Sequence, residues 1–202
     1  MTETAQDIRI TEEDRLRADL YGFVSALLAA PPGRDLLARS AALSGDETPL
    51  GRAIAVLAKL ARAATPASAE REFTALFIGL GRGELLPYAS YYMTGFLNEK
   101  PLAQLRHDMA LHSIRRAPNV YEPEDNIASL MEMMAGLILG RFGAPAGLDQ
   151  QRDFFNRHVG PWAGHFFTDL EGAKGSVFYA PVGAVGKIFM QIEREAFRLG
   201  GS

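Results

Sequence analysis

The chain has 202 residues, 48% apolar and 22% charged, with a net charge of -3, which suits one globular domain with a full core rather than a disordered chain. The small net charge and the lack of like-charge blocks argue against nucleic acid, and no basic amphipathic helix suggests a membrane surface. Cysteine is absent, so disulfides, thiolate catalysis and cysteine-rich zinc sites are excluded.

The opening stretch MTETAQDIRITEEDR is acidic and polar, with neither a basic n-region nor an apolar h-region. No apolar run approaches the roughly 20 residues that a bilayer span needs. A reduced, cytoplasmic setting is the simplest expectation, with residues 1–10 flexible. Thr11 reads as an N-cap with Glu12, Glu13 and Asp14 in the first turn. Leu16, Leu20, Phe23, Leu27 and Leu28 then form a helical stripe that stops before Pro31-Pro32. Gly33 to Leu43 is a short second helix, and Ser44 to Glu47 a loop.

Thr48-Pro49 and Thr65-Pro66 share one start signal, a capping hydroxyl followed by proline at the first helical position. Ile54, Leu57, Leu60 and Ala61 mark the first of these helices. Phe73, Leu76, Phe77 and Leu80 mark the second, which ends in the glycines of GLGRGELLP. Gly79 to Asn98 reads as a long ordered loop holding one helical turn, rich in glycine and tyrosine. Pro101 opens the next helix, with Leu102, Leu105, Met109 and Leu111 on its apolar side and Arg115-Arg116 in its last turn.

The stretch from Tyr121 to Leu139, YEPEDNIASLMEMMAGLIL, organises the chain. Pro123 and the carboxylates Glu122, Glu124 and Asp125 read as its first turn. Ile127, Leu130, Met131, Met134, Leu137 and Ile138 give it a wide apolar face. That design fits a core helix, and it also fits a surface that grips a basic-then-apolar peptide. Leu148 to His158 and Trp162 to Leu170 follow as aromatic-faced helices. A last helix is capped by Ser176, kinked or ragged at Pro181, and runs through Phe178, Val182, Val185, Phe189, Ile192 and Phe197. No segment has a persuasive strand period. The expected fold is all-α, a single helical-bundle domain over residues 1–202 with about eight or nine helices.

Sites of reaction chemistry are poorly supported. His158, His165 and Asp169 are separated by Gly160-Pro161, and no His-Glu-x-x-His or Glu-x-x-His pair occurs, so no metal site is expected. The GLGRG segment lacks the Lys-Ser/Thr of a phosphate loop, and Ser90 lacks a nucleophile elbow. No catalytic residue is assigned. Arg115-Arg116 has the look of a twin-arginine pair but lies mid-chain, where complementing a helix dipole accounts for it.

Four stretches together are similar to a known family: REFTALFIGLGRGELLPYASYY, YEPEDNIASLMEMMAGL, FFNRHVGPWAGHFFTDL and FYAPVGAVGKIFMQIERE. Leu76, Phe77, Gly79, Pro87, Tyr88, Ser90 and Tyr92 match one motif, and Pro123, Asp125 and Ile127 a second. The order resembles the TorD-like (TorD/DmsD/NarJ) maturation chaperones of molybdenum-containing redox enzymes. The tail, with His158, Pro161, Trp162, Phe178, Tyr179 and Phe189, looks closest to members associated with formate dehydrogenase-type enzymes. Asn126 stands where the family usually has histidine, and Leu130 where glutamate is common; asparagine keeps the hydrogen bonding without a titratable ring.

The resemblance implies a cytoplasmic, non-enzymatic chaperone whose partner is the apo form of a molybdoenzyme catalytic subunit and its twin-arginine leader. It holds the client until the molybdenum cofactor is inserted, before export. Peptide contacts are then expected from Glu122, Pro123, Glu124, Asp125, Asn126 and Glu132, with Tyr88, Ser90 and Tyr92 as a neighbouring wall. No tightly bound cofactor is implied, only transient contact with molybdopterin guanine dinucleotide or guanine nucleotide. The protein is a monomer or a domain-swapped dimer, with a hinge over residues 140–147. Two other readings stay open: a helical small-ligand sensor or scaffold, and a nucleotide-dependent or hydrolytic enzyme.

Overall fold

The computed structural model describes residues 10–118 and 120–200, so the stretch expected to be flexible falls almost wholly outside the described residues. Within them the chain is all helical. The elements are α1 (Glu12–Ala29), α2 (Arg34–Ala41), α3 (Pro49–Ala63), α4 (Pro66–Phe73), α5 (Ala89–Thr94), α6 (Lys100–Leu111), α7 (Ile127–Leu139), α8 (Leu148–Phe154), α9 (Ala163–Gly172) and α10 (Tyr179–Leu199). Short π-helical turns, Thr74–Ile78 and Phe155–Val159, extend α4 and α8. The single turn expected in the tyrosine-rich loop is α5, which takes the tally past nine. Pairing of extended chain is limited, among the described residues, to one isolated bridge between Tyr88 and Asn126.

The threonine caps behave as their sequence signals suggest. The hydroxyls of Thr11, Thr48 and Thr65 accept from the N–H groups of Asp14, Gly51 and Ser68, each at 3.0–3.1 Å. In α1 the buried face runs through Ala18, Tyr21, Val24, Leu27 and Leu28, while Leu16 is exposed, so the stripe is rotated from the expected one. α7 is buried on nearly every side, with Ser129 and Glu132 the more open positions before its last residue. Its methionines Met131, Met133 and Met134 are core residues. α7 packs along α1, α9 along α10, and α3 joins α2 to α10.

Several ends differ from expectation. α7 starts at Ile127, with the Asn126 side chain accepting from the Ala128 N–H at 2.9 Å. Glu122, Pro123, Glu124 and Asp125 therefore precede the helix and are free to serve other segments. α6 stops at Leu111, which is exposed, and Arg115-Arg116 lie beyond it. Ser176 does not cap α10. Instead the Glu72 carboxylate, projecting from α4, accepts the N–H groups of Val177, Phe178 and Tyr179 at 2.7, 3.1 and 2.8 Å. An anion on those donors also suits the positive end of the helix dipole. Pro181 is the third residue of α10, where an N–H has no intrahelical partner anyway, so the helix runs on unbroken to Leu199.

Two features fix the remaining geometry. The buried Glu193 carboxylate of α10 takes two 2.8 Å hydrogen bonds from Arg17 and one of 2.9 Å from the Tyr21 hydroxyl, clamping α10 to α1. Burial opposes the charge on Arg17, but its contact with Glu193 more than compensates and raises its pKa. The 140–147 segment is a tight turn: Gly140 takes φ 69°, and the Arg141 and Ala146 N–H groups bond back to Gly136 and Leu137 at 2.9 and 2.8 Å.

Candidate peptide-binding groove

The glycines of GLGRG serve the fold locally. Gly79 has φ 61°, and a Cβ there would meet the Arg82 carbonyl oxygen at 1.9 Å. The turn lets the Glu84 and Leu85 N–H groups return to the carbonyls of Ala75 and Leu76 at 3.2 and 2.8 Å. The chain then leaves this π turn along Pro87 and Tyr88 and meets the segment that leads into α7.

That meeting is the frame of the site. The Ala89 N–H donates to the Asp125 carbonyl at 3.0 Å, and the Ile127 N–H donates to the Pro87 carbonyl at 2.9 Å. Asp125, only 1% exposed, locks the junction: its Oδ2 accepts from the Ser90 N–H at 2.8 Å and the Ser90 hydroxyl at 2.5 Å. Ser90 is fully buried. Both residues were expected at the peptide; the structure places them beneath the surface, as a brace.

Above the brace lies a groove of about 420 Å³ between α1, the π turn after α4, the Pro87-Tyr88 segment and α7. Leu28, Phe77, Ile78 and Val120 supply apolar walls, and Tyr88, Glu122, Asn126 and Glu132 polar ones. A smaller cavity of about 140 Å³ continues past Val120, Glu122, Ser129 and Glu132 toward Met109, Met133 and Phe142. Glu122 and Glu132 are exposed and line both spaces. The Tyr88 hydroxyl donates to Glu122. Burial and then the neighbouring Glu122 push the Tyr88 pKa well up, so the phenol keeps its proton and acts as a donor. Glu132 forms no ion pair with any described residue.

Of these two spaces Glu124 lines only the smaller, and it is already engaged. It is held between Arg106 and Arg116, with ion-pair distances of 2.9 and 2.8 Å. Partial burial works to raise its pKa, but hydrogen bonds from Arg116 and Arg106 outweigh that and hold it below the usual range. Pro123 sits in the turn before Asn126 and lines neither space. Tyr92 is likewise apart, donating to Asp169 at 2.8 Å and lying 5.3 Å from the Trp162 ring. Of the nine expected contact residues, the structure thus gathers Tyr88, Glu122, Asn126 and Glu132 on one groove and puts Ser90 and Asp125 under it. The walls from Leu28, Phe77, Ile78 and Val120 were not foreseen, because they come from three separate segments.

Among the described residues no group of three or more His, Asp or Glu is placed to hold a metal ion. His158 is buried and bonds Asp108 at 2.8 Å, away from His165 on α9. Among the described residues no helix is long and apolar enough to cross a membrane.

Comparison with known proteins gives a consistent picture. Residues 44–168 match the protein family described as the nitrate reductase delta subunit. The chain is 30% identical over 177 residues to the chaperone protein TorD of Vibrio cholerae, covering 78% of this chain and 80% of that one. It is 26% identical over 205 residues to TorD of Aliivibrio fischeri, covering 91% and 95%. A solved structure from Archaeoglobus fulgidus, described as a redox enzyme maturation protein, superposes with a TM-score of 0.57 at 19% identity, over 95% of this chain and 99% of that one. At that identity the last match speaks for the fold.

Proposed function

Because this chain belongs to the TorD/NarJ family, described as the nitrate reductase delta subunit, we propose that it is a cytoplasmic maturation chaperone for a molybdoenzyme and that its groove receives the client's twin-arginine leader. Such a leader presents two arginines followed by an apolar run. The groove offers the complementary order: carboxylates at Glu122 and Glu132, neither in an ion pair with a described residue, next to an apolar trough of Leu28, Phe77 and Ile78. This juxtaposition carries the reading. The client's own chemistry stays with the client, in keeping with relatives named as chaperones rather than enzymes. Any contact with molybdopterin guanine dinucleotide or guanine nucleotide is passing on this reading, made while the apo-enzyme is held, and no residue is assigned to it.

The test is titration of a fluorescent leader peptide against the wild type and Glu132→Gln. Glu132 is exposed and without an ion pair, so its loss leaves the thermal midpoint within about 1 °C, since surface changes of this kind fall within ~0.5 kcal/mol. Affinity falls about 5- to 30-fold, as for loss of a charge-assisted hydrogen bond to arginine. Unchanged affinity in this variant and in Glu122→Gln would take the leader out of this groove.

A further inference from the structure

The groove carries an arginine pair of its own chain. After α6 ends, Ser113 takes φ 58° and the Ile114 N–H bonds the Met109 carbonyl at 2.8 Å. Ile114 is buried, which pins the start of the following segment to the body. Arg115 and Arg116 come next, exposed, and both line the smaller cavity together with Glu122, Glu124 and Glu132. The Arg116 guanidinium donates to Glu124 Oε1 through Nε at 3.1 Å and lies 2.8 Å from it through Nη2. A few residues on, Val120 walls both the larger and the smaller space.

We infer that residues 113–118 form an autoinhibitory strap in which Arg115-Arg116 stands in for the arginine pair of an incoming leader, so that docking requires Arg116 to leave Glu124. This deepens the groove reading above and rests on it. Three observations support it. The segment has the chemical order of a leader's basic stretch, Ser-Ile-Arg-Arg-Ala. Its second arginine occupies a carboxylate at the acidic end of the groove, which it shares with Arg106. The strap's root is fixed by the buried Ile114, whose N–H bonds Met109, whereas the Arg115 and Arg116 that follow are exposed. With Arg116 on the exposed side of the pair, its guanidinium can be exchanged for an equivalent one. When the strap lifts, Glu124, still bonded to Arg106, joins Glu122 and Glu132 as a third anion on the cavity.

The experiment measures one twin-arginine leader peptide, by fluorescence anisotropy, on the full chain and on Arg116→Gln, Arg116→Lys and Arg116→Gln/Glu124→Gln. Arg116→Gln tightens binding by about two- to fivefold, the span that an exposed ion pair controls. Arg116→Lys falls between it and the wild type, and the double variant loses the gain. A peptide copying residues 111–121, added in trans, displaces the leader from Arg116→Gln. Should Arg116→Gln bind as the wild type does, or more weakly while its melting midpoint is unchanged, the strap is no competitor although the groove still receives the leader. If Arg116→Gln is too unstable to assay, Arg116→Lys decides the matter, with the trans peptide then added to that variant. If none of these proteins binds the leader, the groove reading fails and the strap with it.

Discussion

Asp125 offers a sharp test of which carboxylates build the site and which touch a ligand. Replacing it with alanine removes both acceptor contacts to Ser90, at 2.8 and 2.5 Å, and strands the Ser90 N–H inside the body. A hydrogen bond to a charged acceptor contributes ~1.5–3 kcal/mol, and an orphaned buried donor costs a similar amount. Against this stands the relief of removing a buried carboxylate whose Oδ1 has no partner. The balance is a loss of about 3 kcal/mol, or a drop in melting midpoint of roughly 6–12 °C for a chain of this size. Asp125→Asn keeps the acceptor facing Ser90 and costs about 1 kcal/mol or less. Urea denaturation and leader titration on both variants provide the assay. Affinity and stability should fall together in the alanine variant and recover together in the asparagine variant. An alanine variant with an unmoved midpoint and a tenfold weaker affinity would refute the brace and return Asp125 to the contact surface.

Two other expectations concern the body. At Gly183 a Cβ would lie 2.5 Å from the Glu171 N and 2.8 Å from the Phe167 carbonyl oxygen, both backbone atoms of α9. Gly183→Ala therefore destabilises by about 3 kcal/mol in calorimetry, whereas Gly164→Ala, with open space around it, is neutral or gains up to ~1 kcal/mol from helix propensity. Burial holds the His158 pKa below its ordinary 6.5 despite the opposing pull of Asp108. Above pH 6.5 the ring is neutral folded or unfolded. Below it the unfolded chain takes up a proton that the folded chain resists, so stability falls from pH 7 toward pH 5. Burial alone would raise Asp108, but His158 and Arg157 outweigh it and keep its pKa under 3.8, so its own loss comes at more acid pH. Denaturation midpoints across pH 7 to 5 should drop in the wild type and less in His158→Gln; a rise on acidification would contradict this.

What could be read from the chain was what neighbouring residues decide. Thr11, Thr48 and Thr65 cap helices through atoms three residues away, and the apolar run of α7 is buried wherever it is cut. Reading failed where a local signal was used over a distance. Pro123 with its acids imitates a helix start, yet Glu124 is spent on Arg106 and Arg116, and Asp125 on Ser90. Ser176 looks like a cap, but the acceptor for α10 comes from Glu72, more than a hundred positions earlier. The groove was legible in its acids and in Tyr88. Its greasy side was not, because Leu28, Phe77, Ile78 and Val120 become neighbours only through the packing of α1, α4 and α7.

The reach of Glu72 across to α10 ties two places that sequence keeps far apart. Tyr179, the first residue of α10, lies edge-on to Phe77 at 5.5 Å and sends its hydroxyl to the Leu27 carbonyl at 3.0 Å. Phe73 leans on the same ring, at 6.0 Å. The rear bank of the trough is therefore backed by the head of the longest helix, and prising Phe77 outward would unseat that helix too. Such a bank is stiffened from behind, and the opposite shore is formed by Val120, Glu122 and Glu132.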